Sequence, residues 1–235
     1  MAITIIYDNN HYDSRLKSAW GFSCAIKFKQ KTVLFDTGGD GALLLHNMEK
    51  LGIDPRQIEV VVLSHIHGDH VGGLSHFLEC NSKVTVYMPT SFPKRLKNEV
   101  SIVAANIEEV YEARELFNDV FTTGELDSPI IEQALIVNTS KGLVVVMGCA
   151  HPGIVKIAKK AKEINTKGIY LMVGGFHMVG VSSYQIEDAV DNLQQLGVKK
   201  VAPCHCSGEV ARKLFKEYFG DNYIDCGVGK ELIIE

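Results

Sequence analysis

The sequence predicts an α/β chain of the α+β type, folded as a four-layer αββα sandwich with two stacked sheets between outer helices. Strand-forming segments follow one another as meanders in the first part of the 235-residue chain and alternate with helical segments in the second part. A hydrophobic content of 46% and a charged content of 22% are typical of a globular enzyme. We therefore expect a single domain over residues 1–235, without an internal linker.

The N-terminal third favours strands joined by tight turns, followed by a helix that ends at Gly52. β-Branched and aromatic residues favour the strands, and a helical apolar period favours the helix. A later apolar strand leads directly into a histidine-rich turn. The predicted strands are residues 3–7, 22–28, 32–35, 58–63 and 84–88, and the predicted helices are residues 42–51 and a segment from residue 74 onward.

Between Ser91 and Asp127 the periodicity weakens, and residues 102–105 fit a strand while residues 108–117 fit a short amphipathic helix. The periodicity becomes clear again with a predicted hairpin that turns at Gly142, a residue suited to a left-handed turn position. The hairpin strands are residues 134–138 and 143–147, the later strands residues 168–173 and 199–202, and the later helices residues 154–164, 184–196 and 209–219.

Charge and hydropathy limit the partners that this chain is expected to have. The formal net charge of -4 argues against nucleic acid or an anionic membrane as the main partner. The first residues lack the basic start and apolar centre of a secretory signal, and no apolar stretch reaches the roughly 20 residues that span a bilayer. We expect a cytoplasmic protein with a small-molecule substrate and with its six cysteines kept as thiols.

Three histidines and an aspartate lie within six residues after the apolar strand. His65 and His67 are two residues apart, so at the frayed end of a strand both project to the same side and can bind one cation. Gly68 lets the chain turn, which directs Asp69 and His70 to a second position. The pattern predicts two neighbouring metal ions. The alternative is an exposed loop that binds nothing, which would leave polar rings unsatisfied beside a buried strand.

Three later histidines, His151, His177 and His205, each follow the end of a predicted strand. In α/β sheets the carboxyl ends of the strands are where ligands bind, and the neighbouring glycines permit close approach of the backbone. A single loop histidine is usually a surface residue. Three histidines at equivalent positions indicate instead that they belong to one site.

The His65-x-His67-x-Asp69-His70 turn resembles the metallo-β-lactamase superfamily, as do the strand end Leu-Phe-Asp-Thr-Gly before it and the histidine-bearing loops after it. The resemblance extends to Gly208 and implies the metallo-β-lactamase fold. Three segments are also similar to the branch named after dihydropterin-aminobenzene-ribofuranosyl-phosphate synthase. They are Gly-Cys-Ala-His-Pro-Gly-Ile, Gly-Gly-Phe-His and Pro-Cys-His-Cys-Ser-Gly, which contain His151, His177 and His205 respectively.

The resemblance implies two divalent metal ions with three ligands each. The first set is His65, His67 and His151, and the second set is Asp69, His70 and His205. Asp36 is expected to accept hydrogen bonds that fix the ligand loop, the alternative being a helix N-cap. Cys149 stands where superfamily hydrolases usually carry a bridging aspartate, so it either ligates as a thiolate or simply packs. Zinc is the expected metal, with iron or manganese as alternatives.

Three functions are compatible with these residues. The first is hydrolysis of a small ester, lactone or phosphorylated substrate by metal-activated water, with Asp69 orienting the water or taking its proton. His177 then binds substrate or acts as general acid, or alternatively ligates a metal. The second is a transferase that joins a pterin carbon to an arylamine nitrogen, as the branch resemblance implies. The third is a non-catalytic iron or thiol sensor built around Cys149, Cys204 and Cys206.

Overall fold

A computed structural model describes residues 1–235 and contains thirteen strands and seven α-helices. The strands are β1 (Ala2–Tyr7), β2 (Ser23–Phe28), β3 (Lys31–Phe35), β4 (Val60–Val62), β5 (Thr85–Pro89), β6 (Asn106–Val110), β7 (Glu112–Phe117), β8 (Val120–Gly124), β9 (Leu135–Thr139), β10 (Gly142–Met147), β11 (Ile169–Gly175), β12 (Lys200–Cys204) and β13 (Glu231–Ile233). The helices are α1 (Gly41–Lys50), α2 (Gly68–Val71), α3 (Leu74–Cys80), α4 (Lys94–Val103), α5 (Ile154–Ile164), α6 (Ser183–Gln195) and α7 (Glu209–Phe219).

The chain divides into two compact units. Unit 1 comprises residues 1–111 and 227–234, and unit 2 comprises residues 112–226 with Glu235. Each unit contains one β-sheet with its own helices. That residues 1–235 form a single domain stays a prediction.

The sheet of unit 1 has the order β13-β1-β2-β3-β4-β5-β6. Its first strands pair antiparallel, whereas β3 to β6 run parallel to one another. The three valines of β4 are buried because this strand lies inside the sheet, between β3 and β5. The carboxyl ends of β3 and β4 therefore lie side by side, which brings the chain after Phe35 close to the chain after Val62.

The sheet of unit 2 has the order β12-β11-β10-β9-β8-β7. The hairpin of β9 and β10 is antiparallel, and β10, β11 and β12 are parallel neighbours. All six residues of β10 are buried, and the core beneath the sheet includes Ile157, Val190 and Phe215 from the three helices. The loops after β10, β11 and β12 consequently start from the same edge of this sheet.

Most of the elements expected from the sequence are confirmed, with their ends displaced by one or two residues. The hairpin at Gly142 is confirmed, and this glycine has a φ of 129°. The strand expected at residues 58–63 is shorter and covers only Val60–Val62. Strands β8 and β13 have no counterpart among the predicted elements.

Two expectations in the segment of weak periodicity are wrong. Residues 102–105 do not form a strand, because Ile102 and Val103 end helix α4 with exposed side chains. Residues 108–117 do not form a helix, because they belong to β6 and β7, which lie at the edges of the two sheets. Edge strands often carry charged residues, and here their glutamates hide the alternation that marks a half-buried strand.

None of the helices combines the length and the apolar character that a bilayer-spanning segment requires.

Candidate metal-binding clusters

The histidine cluster of unit 1 consists of His65, His67, Asp69 and His70, in the turn between β4 and the end of α2. His65 Nε2 lies 3.2 Å from His67 Nδ1, and the ring centroids of His65 and His70 are 4.1 Å apart. His70 Nε2 lies 3.6 Å from Asp69 Oδ2. The side chains of His65 and His70 are fully buried, so the alternative of an exposed histidine loop is wrong.

Asp36 orients this cluster from the neighbouring strand end. Its buried carboxylate accepts hydrogen bonds from Ser64 N, Ser64 Oγ and His70 Nδ1, each at 2.7 Å. Because a carboxylate only accepts, His70 carries its proton on Nδ1, and Nε2 keeps the lone pair that a metal ligand needs. Ser64 Oγ in turn accepts from His65 Nδ1 at 2.9 Å, which leaves Nε2 as the ligating nitrogen of that ring too.

The structure also decides between the two roles considered for Asp36. Helix α1 is capped by Asp40, whose side chain accepts a hydrogen bond from Leu43 N at 3.0 Å. The N-cap alternative for Asp36 is therefore wrong, and the expected hydrogen bonds to the ligand loop are confirmed. The φ of 54° at Asp36 places this residue in the left-handed region, where non-glycine residues are uncommon.

The histidine–cysteine cluster of unit 2 is formed by the loops after β10, β11 and β12. Its members are Cys149, His151, His177, His205 and Cys206. The sulfur of Cys149 lies within 4.8 Å of a ring nitrogen of each of the three histidines. The rings of His151 and His177 are 4.4 Å apart between centroids. The expectation that the histidines after these three strands come together is confirmed within this unit.

Each of the three loops carries one non-glycine residue in the left-handed region. The φ angles are 61° at Ala150, 50° at His177 and 48° at His205. Such conformations cost about 1–3 kcal/mol each and persist where the surrounding contacts impose them, which is common at functional sites. The surrounding structure, rather than local backbone preference, therefore specifies these three loop conformations.

Glu132 is the residue that sequence reasoning missed. Its carboxylate is fully buried and accepts hydrogen bonds from the backbone N–H groups of Cys149, Ala150 and His151, each at 2.9 Å. It also lies 2.9 Å from His151 Nδ1, so the proton of that ring sits on Nδ1 and Nε2 can ligate. A single acidic residue within the apolar run Ile-Ile-Glu-Gln-Ala-Leu-Ile was the available signal.

Cys206 and His177 form a polarised pair. Contacts with Cys149 and His177 outweigh the effect of burial and lower the pKa of the Cys206 thiol to about 5. The hydrogen bond to Cys206 raises the pKa of His177. These shifts favour the thiolate form of Cys206 and the protonated form of His177. Cys204, the last residue of β12, is also buried, and none of the six cysteines forms a disulfide.

The fold and the two clusters define the class of protein. A model of the metallo-beta-lactamase superfamily matches residues 22–155, more than half of the chain. The chain belongs to this superfamily and has its fold, an α+β arrangement with two mixed sheets and helices. The fold class and the family resemblance expected from the sequence are both confirmed.

Among its relatives is 7,8-dihydropterin-6-methyl-4-(beta-D-ribofuranosyl)-aminobenzene-5'-phosphate synthase of Methanocaldococcus jannaschii. The two sequences are 29% identical over 276 residues, which cover 97% of this chain and 94% of the relative. A solved structure described as a metal-dependent hydrolase of the beta-lactamase superfamily is 31% identical, with a TM-score of 0.85 and coverage of 100% and 99%. Human tRNase Z, short form, shares the fold with a TM-score of 0.69 at 15% identity, and each chain is covered completely.

Proposed function

We propose that this chain is a metal-dependent hydrolase that uses two divalent cations to activate water against a small ester or phosphorylated substrate. One observation carries the proposal: in each unit, an imidazole donates its Nδ1 proton to a buried carboxylate. The pairs are His70 with Asp36 and His151 with Glu132. This arrangement fixes the tautomer and raises the basicity of the ligating nitrogen, and it is typical of metal-binding histidines.

The donor set fits a metal of the zinc type. Imidazole nitrogen and carboxylate oxygen occur in the histidine cluster, and Zn²⁺ accepts both, as Fe²⁺ and Mn²⁺ do. The 3.2 Å between His65 Nε2 and His67 Nδ1 matches the separation of about 3.3 Å between two nitrogen ligands of one tetrahedral zinc. The proposed ligands remain the six that the superfamily resemblance implies: His65, His67, Asp69, His70, His151 and His205.

Metal ions in such a site would supply acidity, since they lower the pKa of a bound water from 15.7 towards about 7. The chain's own contribution is to hold protons at defined atoms. Asp69 is a partly exposed carboxylate beside His70, suited to orient water or to accept its proton. His177 is exposed and its raised pKa favours the protonated ring, which suits a general acid or a group that binds an anionic substrate.

The proposal is tested with a panel of generic phosphodiesters, phosphomonoesters and lactones on zinc-reconstituted protein. Turnover is expected with at least one substrate, with a metal content of at least two equivalents, and both are expected to fall in His67→Ala and His151→Ala. The control is His46→Ala, which changes a histidine of helix α1 outside both clusters. Two bound equivalents with no hydrolysis of any member of the panel would contradict the hydrolase.

The synthase reaction is the second candidate, and the M. jannaschii relative favours it because the similarity covers nearly the whole of both chains. In that case the same cations would promote loss of a leaving group from a pterin carbon, and an arylamine nitrogen would attack it. Pterin-dependent consumption of an arylamine phosphate, absent in His67→Ala, supports this candidate. Hydrolysis of the generic panel without arylamine consumption contradicts it.

A further inference from the structure

Three donor atoms of the histidine–cysteine cluster form a group outside the six proposed ligands. The sulfurs of Cys149 and Cys206 and a ring nitrogen of His177 all lie within 4.8 Å of one another. In a tetrahedral zinc site with metal–sulfur bonds of about 2.3 Å and metal–nitrogen bonds of about 2.0 Å, neighbouring donors are about 3.5–3.8 Å apart. Side-chain adjustments of about 1 Å are therefore enough to close this group around one ion.

Backbone contacts hold the three loops in register. Phe176 N donates to Ser207 Oγ at 3.0 Å, and Met178 N donates to Cys206 O at 3.1 Å. These two bonds flank His177 and tie its loop to the Cys206 loop. The thiol of Cys206 in turn lies 3.6 Å from the backbone oxygen of Cys149. The donor atoms are thus held close together by the scaffold, as a metal site requires.

The space for the sulfur depends on a glycine. A Cβ atom at residue 175 would lie 2.6 Å from Cys206 Sγ and 3.1 Å from the Cα of Cys149. Only glycine lets both cysteines approach this strand end. The two sulfurs are buried, whereas His177 is exposed, so the group opens to solvent on its imidazole side.

We propose that Cys149, His177 and Cys206 form a further site for a thiolate-binding divalent cation of the Zn²⁺ or Cd²⁺ type, which shares the Cys149 sulfur with the surroundings of His151 and His205. Thiolates select such soft cations over Mg²⁺, Ca²⁺ and Mn²⁺. Three protein ligands leave a fourth position on the solvent side. A cation there also occupies the ring nitrogen of His177, which excludes that nitrogen as a proton donor. This last consequence, unlike the site itself, rests on the proposed function.

The full metal-free chain is titrated with Cd²⁺ and Co²⁺. Binding is monitored through the thiolate-to-metal charge-transfer absorption in the ultraviolet. The wild-type chain is expected to show the band of two thiolates per site. Cys206→Ser is expected to lose about half of its amplitude, since one of two sulfurs is removed. Cys226→Ser is the matched control, because Cys226 is also a buried cysteine of unit 2 but lies outside the group.

Two further variants make the result independent of folding defects and of the proposed function. His177→Asn changes an exposed residue and keeps a side chain that tolerates the left-handed backbone, so it should fold and bind Cd²⁺ about tenfold or more weakly. His67→Ala should keep the charge-transfer band even if the hydrolase proposal fails. The inference is overturned if wild type shows no thiolate band, or if Cys206→Ser and His177→Asn both bind Cd²⁺ with unchanged amplitude and affinity.

Discussion

Two buried carboxylates, Asp36 and Glu132, perform the same task in different units. Each accepts the Nδ1 proton of a proposed ligand and also accepts backbone N–H groups from the loop that carries that ligand. The hydrogen bond from Nδ1 fixes the tautomer of the ring, and the hydrogen bonds from backbone N–H groups fix the conformation of the loop. A buried carboxylate that made neither contact would be costly, so the hydrogen bonds explain why both charges are retained.

Asp36→Asn is expected to weaken zinc binding about 10–100-fold, because an amide places an N–H₂ group where Ser64 or His70 now donates. The measurement is competition with a chelating indicator. Asp40→Asn is the matched control, since asparagine caps helix α1 about as well as aspartate and Asp40 contacts none of the proposed ligands. Equal affinity of the two variants would show that Asp36 does not position the ligands.

Glu132→Gln is expected to lower the free energy of unfolding by about 2–4 kcal/mol in the metal-free chain. An amide cannot accept from three backbone N–H groups and an imidazole at once, and each buried donor left unsatisfied costs about 1–3 kcal/mol. Urea unfolding measures the effect. Glu163→Gln, which removes an exposed carboxylate of the same unit, should change stability by less than about 0.5 kcal/mol.

The lowered pKa of Cys206, caused first by its hydrogen bond with Cys149 and then by the one with His177, makes the stability of the metal-free chain depend on pH. The pKa of Cys206 falls from 9.0 to about 5, so between these values the native state holds a thiolate and the unfolded chain a thiol. This contribution to stability is complete above the unfolded pKa of 9.0 and is lost as the pH falls through about 5. Ultraviolet thiolate absorbance should titrate near pH 5 in the wild type. A curve that is unchanged in Cys206→Ser would assign the absorbance to another group.

At the scale of elements, the parallel pairing of β10 and β11 sets where the ligand loops begin. Gly174 has a φ of 126°, and a Cβ atom there would lie 2.0 Å from the backbone oxygen of Met147. Neither the backbone angle nor the space permits a side chain. The close approach of the two strands carries Cys149 and His177 to the same edge of the sheet.

Gly174→Ala is therefore expected to destabilise the chain by at least about 2 kcal/mol and to lower metal content, because the strand ends must separate. Gly168→Ala is the control, since a Cβ at that position meets nothing within 4 Å. Thermal unfolding and metal analysis of both variants check the expectation. Similar melting temperatures of the two variants would show that the strand ends accommodate the added methyl group without loss of stability.

The elements also show what sequence patterns reveal and what they miss. Interior strands such as β4 and β10 are continuous apolar runs, and this pattern predicts that the histidines after them lie at a ligand-binding edge. The edge strands β6 and β7 carry charges on one face, so their pattern resembled a helix. Glu132 was missed because its four contacts are made 17–19 residues away in the sequence, a pairing that no local period encodes.

At the scale of the whole molecule, candidate ligands occur in both compact units, and within the second unit His151 and His205 lie 54 residues apart along the chain. The unfolded chain does not hold such distant residues together, so it binds a metal ion far more weakly than the native state does. Binding to the native state alone adds its free energy to the stability of the fold. Metal loading should therefore be visible as a change in thermal unfolding, independently of any substrate.

Zinc at 100 times its dissociation constant is expected to stabilise the chain by about 2.7 kcal/mol, which raises the melting temperature by about 5–10 °C for a protein of this size. A chelator should reverse the shift. Without added zinc, His67→Ala should melt close to the metal-free wild type. Zinc should raise its melting temperature by less than it does in the wild type, because one imidazole of the histidine cluster is gone. Scanning calorimetry at fixed protein concentration separates the outcomes. A zinc response of the same size in His67→Ala would mean that the stabilising ion binds elsewhere, and the histidine cluster would lose its proposed role as a metal site.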